Sequence, residues 1–105
     1  MKANKIFLAD SELQFIRDHI LDPLKVFHIN MFIFGSRAKG THSKFSDVDL
    51  LIKADKYSGE LIKKISEINE FLIGSNFPYK VDIVLDCDIA ESYREDIYQF
   101  KVEFK

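Results

Sequence analysis

Two stretches of this sequence combine residue types and spacings suited to chemistry on phosphates. The first, Phe34-Gly35-Ser36-Arg37-Ala38-Lys39-Gly40, carries an apolar segment into a glycine-serine turn. A helix starting directly after Gly35 would leave its first backbone N–H groups without intrahelical acceptors, at the positive end of the helix dipole. Such an end accepts an anion. Gly35 allows close backbone approach, the Ser36 hydroxyl adds a donor, and Arg37, Lys39 and Lys44 supply positive charge nearby. The plain alternative is a strand-to-helix turn with a serine cap and solvated basic residues, because Gly-Ser turns are common.

The second stretch, Ser46-Asp47-Val48-Asp49, weighs against that alternative. Residues i and i+2 of a strand face the same way, with Cα atoms about 6–7 Å apart. Two carboxylates so placed repel each other unless a cation sits between them. Magnesium suits the arrangement, since it takes one or two carboxylates and completes its shell with water and substrate phosphates. Solvated acids at a strand end are the alternative, but Leu50-Leu51-Ile52 follows at once and implies a strand entering the core. Asp82 is the third acid, inside Lys80-Val81-Asp82-Ile83-Val84-Leu85. A carboxylate is a poor strand former and is costly to bury alone. It reads either as a functional position or as an ion-pair partner of Lys80, which shares its face.

These residues need elements to hold them. Leu13, Ile16 and Ile20 form one helical stripe, which Asp10 or Ser11 can cap and beyond which stands Pro23. Val26 to Phe34 is β-branched and aromatic and stops at Gly35, as a buried strand would. Val48 to Lys53 reads as a second strand. Ser58-Gly59-Glu60 opens a helix carrying Leu61, Ile65, Ile68 and Leu72, with Gly74 placed to end it. Pro78 precedes a third strand, Tyr79 to Leu85, and Ile89, Tyr93, Ile97, Phe100 and Phe104 recur as in a final helix. The expected fold class is α/β (α+β): a small mixed β-sheet with helices packed over it, in the order α, β, short α, β, α, β, α.

Composition narrows the function classes. With 105 residues, 47% of them apolar, the chain fits one domain, residues 1–105, and disorder is excluded. Ten phenylalanines provide large buried area for a small core. A net charge of −2 argues against broad nucleic-acid binding, which needs a basic face. The lone Cys87 cannot form an internal disulfide, and the charged segment Met1 to Asp10 resembles neither a signal peptide nor a membrane span. A cytoplasmic protein with no membrane association is expected.

The combination of Gly35-Ser36, ten intervening residues, Asp47-Val48-Asp49 and the later strand acid Asp82 resembles the signature of the DNA polymerase β-like nucleotidyltransferases. Gly-Ser-Arg-Ala-x-Gly at 35–40 and Ser-Asp-Val-Asp-Leu at 46–50 are closest in style to the minimal nucleotidyltransferases, the MNT proteins. The resemblance runs from the strand at Val26 through the C-terminal helix. It implies that Asp47 and Asp49 hold two magnesium ions, and that Asp82 shares one and helps activate an attacking hydroxyl. It also implies that Gly35 and Ser36 grip the β- and γ-phosphates of a nucleoside triphosphate such as ATP, aided by Arg37 and Ser46. A nucleoside monophosphate would then pass to an acceptor. For a chain of this length the resemblance implies an antitoxin that adds AMP to a hydroxyl of a HEPN-type toxin. Its rivals are a small-molecule acceptor such as an aminoglycoside, and an antitoxin that acts by binding alone. A calcium loop lacks the required ligand series.

Other residues are given quieter roles. His19 and His28 read as packing or surface positions, and His42 as a loop residue within reach of an anion. Cys87 reads as a buried or half-buried thiol with no histidine partner. The stripe Tyr93, Ile97, Phe100 and Phe104 reads as core whose outer end is available to a partner.

Overall fold

The computed structural model of the chain describes residues 6–105; Met1 to Lys5, on which the expectation about the N-terminal segment partly rests, lie outside the described residues. Helix α1 (Asp10–Ile16) starts differently from expectation. Ala9 takes the cap position, and its backbone N–H donates to Glu12 Oε1 at 2.8 Å, so a first-turn glutamate closes the helix start instead of Asp10 or Ser11. Pro23 does not lie beyond the helical run either. It sits within α2 (Asp22–Leu24), reached through a widened π turn over Arg17–Leu21, where the Asp22 N–H donates to the Arg17 carbonyl. Proline lacks an N–H and its ring crowds the carbonyl four residues back, so the ladder opens ahead of it.

A 3-10 turn, Lys25–Phe27, ends on His28 in left-handed backbone at φ 55°. Strand β1 therefore spans only Ile29–Phe34, and Val26 and Phe27 belong to the helical approach despite their strand-like side chains. The chain then forms α3 (Ser36–Lys39), β2 (Val48–Ala54), α4 (Gly59–Ile73), β3 (Val81–Leu85), a 3-10 turn (Asp86–Asp88), α5 (Glu91–Phe100) and β4 (Val102–Glu103). Ser58 caps α4 as expected, its Oγ accepting from the Leu61 N–H at 3.2 Å.

The sheet order is β3-β2-β1-β4. β1 runs antiparallel to β2 and β4, while β2 and β3 are parallel, so the sheet is mixed. Met31, Ile33, Val48, Leu50 and Ile52 point to one face, where Ile16, Ile20, Leu24, Leu61, Ile65 and Ile68 close the main core. The alternate residues point to the other face: Phe34, Asp49, Leu51, Asp82 and Val84. There α5 packs, with Ile97 near Phe34 and Val84.

The C-terminal segment corrects the helical reading of the aromatic stripe. α5 ends at Phe100, Lys101 turns extended, and Phe104 follows β4 back into the core. The Phe104 N–H donates to the Met31 carbonyl at 2.8 Å, and its side chain is fully enclosed. Tyr93 and Phe100 remain exposed, so the stripe is not core along its length. No helix among the described residues is long and apolar enough to cross a membrane.

Candidate active site

β1 delivers the chain to Gly35, whose φ of 75° and ψ of −155° belong to a region that side chains with a Cβ avoid. This conformation breaks the strand and starts α3 on the next residue. Ala38 and Lys39 N–H both donate to the Gly35 carbonyl, and Gly40 at φ 84° closes the turn onto the Ser36 carbonyl. The leading N–H groups at Ser36 and Arg37 therefore lie ahead of the first intrahelical bonds, on the side where β1 ends.

The register of the sheet assembles the acids. Asp49 pairs with Phe34 on β1 and with Asp82 on β3, so it lies between the end of the glycine-bearing strand and the third acid. Adjacent strands lie about 5 Å apart, which puts the Asp49 and Asp82 side chains next to each other on one face. Asp47 stands one residue before β2, exposed, and the adjacent Val48 N–H is anchored to the Lys80 carbonyl at 2.8 Å. A Cβ placed on Gly35 would come within 2.5 Å of Asp49 Oδ2, so the glycine and this carboxylate share one cradle.

Electrostatics record the crowding. Burial, then the charges of Asp82 and Asp47, push the Asp49 carboxyl above its usual value, and Lys80 only partly offsets them. Lys80 Nζ lies 3.7 Å from Asp82 Oδ1, an exposed pair that fits the ion-pair reading of Asp82 without excluding a functional one. Among the described residues no three carboxylate, imidazole or thiol groups converge closely enough to enclose an ion alone. All-oxygen donors that repel one another beside an anion-ready turn nevertheless fit magnesium, whose shell is completed by water and substrate phosphates.

A model of the nucleotidyltransferase domain matches residues 16–104. The chain belongs to this family. The nucleotidyltransferase chain also shares its fold with solved structures, though at low identity. A toxin–antitoxin structure with AMP-PNP is 16% identical, with a TM-score of 0.58 over 85% of this chain and 72% of that one. A mutant MntA–HpeT toxin–antitoxin is 17% identical, with a TM-score of 0.60 over 93% of this chain and 73% of that one. A putative nucleotidyltransferase from Sulfolobus solfataricus is 18% identical, with a TM-score of 0.52 over 90% and 79%. The sequence matches none of the curated proteins searched. The mixed sheet and its helices are the polymerase β-like nucleotidyltransferase fold.

Within that frame, Arg37 does not take the place expected of it. Its side chain is 3% exposed, and the guanidinium donates to the carbonyls of Ser46 and Phe7 at 3.1 Å and of Lys44 at 3.5 Å. Its carbon lies 3.9 Å from the Tyr79 ring centroid. The guanidinium thereby braces the loop between Lys44 and Ser46 against Phe7. Ser46 is likewise a loop residue: its hydroxyl accepts from the Ser43 N–H at 2.7 Å and its carbonyl accepts from Arg37. Lys39 reaches across to Asp96 of α5 at 2.9 Å. Sequence reasoning missed the Tyr79 and Phe7 contacts because they lie far from Arg37 in sequence; the aromatic beside Pro78 was the available signal.

His42 turns its ring against Phe7, centroids 5.5 Å apart, and its buried Nδ1 has no hydrogen-bond partner. His19 clusters with Phe15 and Phe71, its ring centroid 4.5 and 4.9 Å from theirs, a packing role. His28 terminates the 3-10 turn and is not in a strand. Cys87 is exposed, contrary to the buried reading, because it lies on the 3-10 turn after β3 and not in the sheet.

Proposed function

We propose that residues 1–105 form one nucleotidyltransferase unit that moves a nucleoside monophosphate, with AMP from ATP as the first choice, onto a hydroxyl of a partner protein. The observation that carries this reading is the register Phe34–Asp49–Asp82, which lines up the glycine-serine turn and two acids across three strands. Gly35 and Ser36 would hold the β- and γ-phosphates through backbone N–H groups and the Ser36 hydroxyl. Asp82 would accept the proton of the attacking hydroxyl. Asp47 and Asp49 would hold two magnesium ions, with Asp82 sharing one, and these supply charge neutralisation at the attacking and leaving oxygens when bound. Arg37 and Ser46 would serve nucleotide binding indirectly, by fixing the loop that presents Asp47.

The solved neighbours that are toxin–antitoxin assemblies, one of them with AMP-PNP, support an MNT-type antitoxin role, and the partner proposed for it is a HEPN-type toxin. The test is a labelling reaction with magnesium, each α-labelled nucleoside triphosphate and the purified HEPN-type partner, read by mass spectrometry. A monophosphate adduct on the partner, lost in Asp47→Ala/Asp49→Ala, is the expected result. Transfer to an added aminoglycoside instead would reassign the acceptor. A tight complex with no adduct, still protecting cells in the double mutant, would make the chain a binding-only antitoxin. Ser36→Ala should weaken ATP binding by about 1–2 kcal/mol, the worth of one hydrogen bond to a charged group.

A further inference from the structure

β3 forms one end of the sheet, since the order β3-β2-β1-β4 leaves no described strand on its outer side. The Val48 N–H donates to the Lys80 carbonyl. In a parallel ladder the residues that turn their backbone groups toward the neighbour alternate. Lys80, Asp82 and Val84 therefore face β2, while Val81 and Ile83 turn their N–H and C=O groups outward. Every residue of β3 is only half-buried. Along this edge runs a groove of about 580 Å³, bounded by Ile73, Phe77, Tyr79 and Lys80 and reaching Asp82 itself. Ile73, at its rim, is 86% exposed.

Building on the transfer reading above, we propose that the acceptor polypeptide docks here by adding an extended strand to the free edge of β3, with its hydroxyl side chain directly across from Asp82. Three features select this occupant. Unpaired backbone donors and acceptors are satisfied by another backbone, which a sugar or aminoglycoside cannot offer. The apolar rim at Ile73 and Phe77 suits side chains, and the single cation Lys80 is already engaged with Asp82, which disfavours a polyanionic strand. The groove runs along the β3 backbone at Asp82, so an added strand would set alternate side chains into it and the others on the opposite face, where the Asp82 carboxylate stands.

The strand order gives the docking a chemical sense. A side chain opposite Asp82 on an added strand stands about 5 Å away on the same face. The acceptor then arrives from the β3 side, whereas Gly35 and Ser36 lie on the β1 side, with Asp49 between. Entry and exit fall on opposite sides of the α-phosphorus, as in-line displacement needs. The hydroxyl oxygen forms the new bond to the α-phosphorus, its proton passes to Asp82, and the bond to the bridging oxygen breaks. Pyrophosphate leaves towards Gly35 and Ser36.

The experiment uses the full chain, labelled ATP with magnesium, and the purified HEPN-type partner. Ile83→Pro removes an outward N–H without touching the β2 ladder, and Ile73→Glu places a charge at an already exposed rim position. Both should raise the KM for the partner by about tenfold or more, as loss of an interface anchor does, while ATP affinity stays at the wild-type value. Ile73→Glu keeps the test valid should Ile83→Pro fold poorly. Hydrogen exchange should show the Val81 and Ile83 amides becoming protected when partner is added. A wild type that labels no partner overturns the transfer reading and the docking with it. A wild type that labels the partner, with Ile73→Glu unchanged and the two amides unprotected, overturns the docking alone. A homodimer in sedimentation that Ile83→Pro dissolves would assign the edge to a second copy and also overturn the proposal.

Discussion

Gly35→Ala is the most informative single substitution, because the structure specifies two separate penalties for one methyl group. The backbone at φ 75° and ψ −155° is almost exclusive to glycine, so an alanine there costs about 1–3 kcal/mol of strain. The new Cβ would also stand 2.5 Å from Asp49 Oδ2, closer than any real contact, so the carboxylate must swing away. A displacement of about 1 Å at a reacting centre costs on the order of 100-fold in rate. The assay pairs urea denaturation of the free protein with steady-state transfer to the partner. Gly59→Ala is the internal control: nothing lies within 4 Å of its added Cβ, and the position opens α4, so stability should hold or rise by up to about 1 kcal/mol. A Gly35→Ala protein within about 0.5 kcal/mol of wild type and fully active would refute the cradle shared by Gly35 and Asp49.

Two further outcomes follow from the site's electrostatics and its loop. Burial and the neighbouring acids raise the Asp49 carboxyl, so the folded state holds its proton more tightly than the unfolded chain does. Asp49 therefore destabilises the metal-free fold at neutral pH, and this penalty fades as pH falls through the folded value towards and below the unfolded one. Asp49→Asn should raise the melting temperature of the metal-free protein at pH 7, with the gain vanishing in acid, while abolishing transfer; a lower melting temperature at pH 7 would contradict the repulsion argument. Arg37→Ala should lose about 1–3 kcal/mol in urea denaturation, since it removes a buried guanidinium that donates to the part-buried carbonyls of Phe7, Lys44 and Ser46 and stacks on Tyr79, and Arg37→Lys should recover only part. Stability within about 0.5 kcal/mol of wild type for Arg37→Ala would mean the loop does not depend on the guanidinium.

Much of the candidate site's placement was legible from sequence because its signals are local. A glycine that must break a strand, an acid two residues from another, and a serine at the start of Leu61, Ile65 and Ile68 are each set by backbone geometry within a few residues. The spacing of β-branched and apolar residues likewise marked β2, β3 and α4. The places where reading failed are those where distant packing overrules local preference. Val26 and Phe27 favour a strand, yet the helical run through Pro23 and the left-handed His28 absorb them. Phe104 continues the helical spacing of Ile97 and Phe100, but the edge of β1 takes up β4, and Phe104 just beyond it is buried in the core.

The sequence alone determined which residue types could do chemistry and on what kind of element each would stand. Tertiary structure decided which of them meet. The parallel register that sets Asp82 beside Asp49, and the bond by which the buried Arg37 braces its loop against Phe7, depend on contacts between residues 30 or more positions apart. Register is chosen by how whole faces pack, since a slip of one residue would turn every apolar side chain of a strand to the wrong side.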